Sequence, residues 1–98
     1  MEAAQDVRVV PRSDVAKQSL GDGAVLVDLR SGTCFELNRT GAEVWDLLAG
    51  GATIDSVCAT LAARYGVPDE TIAGDVRSVV DALKQQKLVE FLPVSETP

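Results

Sequence analysis

The chain has no histidine and few aromatic residues: one tryptophan, one tyrosine and two phenylalanines. Without imidazole, the commonest general base and the commonest nitrogen ligand of zinc are both missing. Cys34 and Cys58 form no CxxC pair, so no zinc or thioredoxin-type motif can be built on them. Neither thiol has a base nearby in sequence, which argues against a nucleophilic cysteine. Gly21-Asp22-Gly23 is too short for a phosphate loop, and the carboxylates Asp28, Glu36 and Asp46 read as surface charge. No catalytic residue, metal ligand or cofactor is therefore expected. No run reaches the roughly 20 apolar residues needed to cross a bilayer. The opening Met1-Glu2-Ala3-Ala4-Gln5-Asp6 lacks the basic and apolar parts of a secretion signal. The expectation is a soluble cytoplasmic protein with reduced thiols and no membrane partner. A disulfide between the cysteines stays open on sequence alone.

What is present points to one small domain. Ninety-eight residues, 46% of them hydrophobic, suffice for a single core, and the scarcity of aromatics leaves that core to aliphatic side chains. The net charge of −6 argues against nucleic acid, because binding phosphate needs clustered Lys and Arg.

The stretch Gly32 to Leu48 organises the chain. It starts at a turn, alternates like a strand through Phe35 and Leu37, and changes at Asn38-Arg39-Thr40 to the spacing of an amphipathic helix that carries Trp45. Thr40 with Glu43 matches a capping box, so the helix is expected from Gly41 to Ala49, ended by Gly50-Gly51. Before this stretch, Val15–Leu20 and Ala24–Leu29 read as strands joined by a Gly21-Asp22-Gly23 hairpin, and Arg30-Ser31-Gly32 turns into the strand Thr33–Leu37. A three-stranded antiparallel meander results, with Thr33–Leu37 at an edge. An open edge is either protected by charge or a docking site.

After it, Thr53 caps a second helix ending at Gly66, and Pro68 opens a third running to about Lys87. Leu88-Val89-Glu90-Phe91 reads as a wing strand. The fold class is α+β, a winged helix-turn-helix with an N-terminal three-stranded antiparallel sheet followed by three helices. Residues 1–12 read as a flexible arm or edge segment, 13–92 as the domain and 93–98 as a disordered tail. On the third helix, at about 100° per residue, Ile72, Val76, Val79 and Leu83 form a core stripe. Val80, Arg77, Lys84 and Lys87 fall to one side of it, and Asp75, Ala82 and Gln86 to the other. On pattern alone the first flank reads either as solvated surface charge complementing the helix dipole or as a groove wall for a peptide with acidic and apolar side chains.

A Gly-x-x-Phe-x-Leu-Asn strand entering Thr-Gly-Ala-x-Val-Trp, preceded by Val25-Leu26-Val27-Asp28-Leu29, resembles the PqqD-like proteins, the leader-peptide recognition elements of ribosomal peptide natural-product pathways. The resemblance continues through Tyr65-Gly66-Val67-Pro68 and Asp75-Val76 to Leu88-Val89. It implies a non-catalytic module that binds the leader of a precursor as an added strand and presents it to a radical S-adenosylmethionine enzyme or to a leader peptidase or cyclase. Pyrroloquinoline quinone and lasso-peptide pathways both use such modules, and the lasso type is favoured. Mapped onto this chain, the peptide-binding residues would be Thr33, Cys34, Phe35, Glu36 and Leu37 on the strand, with Val76, Arg77, Val80, Lys84 and Lys87 as the wall. The rivals are an acidic winged-helix DNA-binding regulator and an adaptor that dimerises edge to edge; a monomer is favoured.

Overall fold

The computed structural model describes residues 7–93. Its elements are β1 (Val7–Pro11), β2 (Val15–Leu20), β3 (Gly23–Asp28), β4 (Cys34–Leu37), α1 (Arg39–Ala49), α2 (Ile54–Tyr65), α3 (Asp69–Gln85) and β5 (Val89–Pro93). The architecture is α+β, with antiparallel sheets and three helices. The expected polar start through Asp6 lies outside the described residues; of the expected tail 93–98, Pro93 is the last residue of β5 and the rest lies outside them.

Strands β2, β3 and β4 form the meander that their turn residues encode, in the order β2-β3-β4. Gly21 has φ +57°, which suits the two-residue connection between Leu20 and Gly23. Between β3 and β4, the Asp28 carboxylate accepts from the Arg30 amide and Gly32 takes φ +77°. The register sets Leu37 opposite Ala24 and Phe35 opposite Leu26 on the inner face, and Glu36 opposite Val25 and Cys34 opposite Val27 on the outer face.

Helix α1 begins earlier than its sequence pattern suggests. Asn38 is the cap, its Oδ1 accepting from the Gly41 amide at 2.8 Å, and Arg39 and Thr40 are already helical. The expected Thr40/Glu43 capping box does not form. The better capping residue stands two positions upstream of Thr40. The Glu43 carboxylate instead accepts from the Tyr65 hydroxyl at the end of α2, and Arg39 and Arg64 lie beside it. Thr53 does cap α2, accepting from the Ser56 amide, and Gly66 ends that helix at φ +67°.

The last strand pairs with the first. β5 lies antiparallel to β1, with Val9 opposite Phe91 and Pro11 opposite Val89. The Val7–Pro11 run is thus a strand of a two-stranded sheet, and Val9 is buried. A partner some eighty residues away leaves no trace in local pattern.

Arg12 joins the two sheets. Its guanidinium ion-pairs with Asp14 at 2.7 Å and with Asp28 at 3.4 Å, and it donates to the Lys87 carbonyl. That carbonyl belongs to the turn closing α3. The helix stops at Gln85, Lys87 takes φ +60°, the Leu88 amide reaches the Leu83 carbonyl and the Lys87 amide reaches the Lys84 carbonyl. This is a Schellman turn with lysine where glycine is usual. Lys87 therefore lies beyond the helix on whose flank it was expected.

Leu26, Val44, Leu48, Val57, Leu61, Val76 and Leu83 fill the centre of the core, with Trp45 beside them at 4% exposure. All three helices and strands from both sheets contribute to it.

Candidate functional site

Strand β4 is short because Asn38 diverts the chain into a helix. Its inner edge bonds to β3, and no described strand pairs with its outer edge. Backbone donors and acceptors along such an edge can accept a further strand. Beside it lies an open hollow of about 210 Å³, lined by Phe35, Glu36, Leu37, Asn38, Gly41, Ser78, Val79 and Ala82. The β4 side thus meets the central turns of α3 across a mostly apolar space.

Gly41 sits at a tight point of this approach. A β-carbon there would meet Leu37 Cδ2 at 3.2 Å and the capping Asn38 Oδ1 at 3.3 Å. The Thr-Gly-Ala motif therefore has a packing correlate: a side chain on the third residue of α1 would press on Leu37 and on the capping Asn38, which would have to shift by a few tenths of an ångström.

Of the residues expected at the site, Phe35, Glu36 and Leu37 line the hollow. Cys34 is exposed on the outer face of β4, and Thr33 lies exposed just before it. The expected wall on α3 is different. Val76 is fully buried and Val80 is 7% exposed, so both are core. Arg77 and Lys84 are exposed on the flank away from the hollow, where the Lys84 ammonium lies 5.2 Å from the centre of the Phe91 ring. None of Val76, Arg77, Val80, Lys84 and Lys87 lines the hollow. Its α3 wall is Ser78, Val79 and Ala82. Sequence pattern set Val79 in the core stripe and Ala82 on the opposite flank, and the small Ala82 was the available signal of a close approach.

The electrostatics follow from that rotation. Glu36 is the one charged residue lining the hollow. Its carboxylate makes no ion pair or hydrogen bond with another described residue. A second, wider hollow of about 690 Å³ shares Glu36, Leu37 and Asn38 with the first and adds Leu20, Asp22, Gly23, Ala24, Val25 and Arg39. Burial pushes the Cys58 thiol up, away from reactivity, whereas Cys34 faces solvent; the two thiols are free. The Tyr65 hydroxyl is also pushed up, chiefly by its hydrogen bond to Glu43. No group of metal-ligating side chains occurs among the described residues, nor does any of their helices have the length and apolarity to cross a membrane.

A search of the curated proteins found no match. Two solved structures are similar to this chain. The one described as TbiB1 in complex with the TbiA(beta) leader peptide shares 30% identity, with 83% of this chain and 94% of that chain covered and a TM-score of 0.76. The other, lasso peptide synthetase B1 complexed with the leader peptide, shares 27% identity over 87% of this chain and 98% of that chain, with a TM-score of 0.73. The family model described as coenzyme PQQ synthesis protein D matches residues 23–89, from the first residue of β3 to the first of β5. The chain belongs to the PqqD family.

Proposed function

We propose that this chain captures the leader segment of a ribosomally synthesised precursor peptide by strand addition to β4 and presents it to a modifying enzyme or leader peptidase in natural-product biosynthesis of the lasso-peptide or PQQ type. The observation that carries this is the outer edge of Cys34–Leu37, without a described strand partner and bordered by an apolar hollow against α3. Both similar structures are leader-peptide complexes, which supports the same role here. Backbone hydrogen bonds supply affinity in such a contact, and side chains at alternate positions supply specificity.

The contacting residues in this proposal are Thr33, Cys34, Phe35, Glu36 and Leu37 from the strand side, with Ser78, Val79 and Ala82 across from them. The chain performs no chemistry; it raises the local concentration of the precursor at a partner enzyme in the cytoplasm. Helices α2 and α3 with β5 after them are read as a winged helix-turn-helix used as a scaffold. A DNA-binding role is not favoured, because α3 carries Asp69, Glu70, Asp75 and Asp81 against Arg77 and Lys84.

The test uses fluorescein-labelled leaders taken from any short precursor reading frame found beside this chain's gene. Saturable binding with new hydrogen-exchange protection of the Cys34–Leu37 amides is expected. Protection appearing only elsewhere would refute strand addition at β4, and binding of duplex DNA instead would favour the regulator.

A further inference from the structure

An extended peptide beside β4 presents alternate side chains to the two faces of the sheet. On the inner face its neighbours are Phe35 and Leu37; on the outer face they are Cys34 and Glu36. Glu36 is exposed, unpaired within the described structure, and shared by both hollows. Asp22 lines the wider hollow with it. The one cation there, Arg39, lies 3.7 Å from Glu43 and over the ring of Tyr65. The cations that sequence pattern assigned to the groove, Arg77 and Lys84, face away from it. The peptide's outer face therefore meets uncompensated negative charge on a protein of net charge −6.

We infer that Glu36 sets the charge preference of this site and that the captured peptide carries a lysine or arginine at the outward position opposite it, between apolar residues that face the hollow. The inference rests on the proposed strand addition at β4; it agrees with the net charge of −6 and reverses the partner charge that the flank of Arg77 and Lys84 implied. Opposite charges facing each other across two strands attract, and like charges repel. With both groups near solvent, the contribution is modest and salt-sensitive. It selects among peptides whose backbone and apolar anchors already fit.

The experiment selects a displayed library of random 20-residue peptides on the folded wild-type chain and, in parallel, on Glu36→Lys. The expected wild-type pool is enriched in Lys or Arg at a fixed offset from its apolar positions, and the Glu36→Lys pool in Asp or Glu at that offset. Synthetic Lys and Glu versions of one selected peptide should differ in affinity by about threefold on the wild type at low salt, with the order reversed on Glu36→Lys and the difference lost at high salt. If both pools protect the Cys34–Leu37 amides from exchange but show the same charge, Glu36 does not set the preference while strand addition stands. If the wild-type chain enriches no peptide, or only peptides that leave those amides unprotected, strand addition fails and the inference falls with it.

Discussion

A β-carbon on Gly23 would lie 2.2 Å from the carbonyl oxygen of Leu37, closer than any side chain can come to a backbone. Gly23 is not among the residues with positive φ, so it is required for space rather than for conformation. Gly23→Ala is expected to part β3 from the end of β4, at a cost of about 1–3 kcal/mol, and to weaken peptide binding at that edge. Gly74, in the exposed middle of α3, has nothing within 4 Å of its would-be β-carbon, so Gly74→Ala should stabilise by about 1 kcal/mol. Urea denaturation of both variants checks the opposite signs.

Val79 and Val80 are neighbours in sequence with opposite fates. Val79 is half-buried at the hollow, and Val80 is closed into the core. Val80→Asp is expected to lose about 3–5 kcal/mol, because it buries a charge with no partner. Val79→Asp should keep a native circular dichroism spectrum and lose about tenfold or more in peptide affinity, the loss of about one apolar anchor. Lys84→Glu, on the far flank, should leave that affinity unchanged. A folded, non-binding Val80→Asp variant would place the wall on the wrong side of α3.

The turn after α3 asks for glycine and has Lys87, at φ +60°. Lys87→Gly removes the left-handed strain and keeps the carbonyl that Arg12 bonds. A stabilisation of about 1 kcal/mol is expected, read from the thermal midpoint. A destabilised variant would mean that the Lys87 side chain contributes more than its backbone costs.

The Arg12 cluster predicts the acid limb of stability. Asp14 is held below the usual carboxylate range first by its hydrogen bond from Arg12, and Asp28 first by the Arg30 amide and then by Arg12. Because both folded values are lowered, these carboxylates stabilise the native state fully above the ordinary aspartate value of about 3.9. That contribution is lost as pH falls from there through the lowered folded values. Urea midpoints at about pH 5 and about pH 2 should therefore differ more for the wild type than for Arg12→Gln. Equal differences would remove Arg12 from the account.

Much of this molecule is legible one segment at a time. The two-residue hairpin at Gly21-Asp22, the cap at Thr53, the left-handed stop at Gly66 and the enclosure of Trp45 all follow from residues within a few positions of one another. Where two local signals compete, as Asn38 and Thr40 do for the start of α1, pattern alone chose the weaker cap.

The sequence by itself determined the meander, the number and ends of most helices, and which strand lies at the edge, because turn chemistry and hydrophobic period act over short range. Only the tertiary structure decided that β1 closes on β5 through Val9 and Arg12, and that α3 turns Ser78, Val79 and Ala82 toward β4. A helix with two plausible flanks contains no record of its own rotation. That rotation is fixed by what packs behind it, here Val76, Val80 and Leu83 buried in a core shared with both other helices.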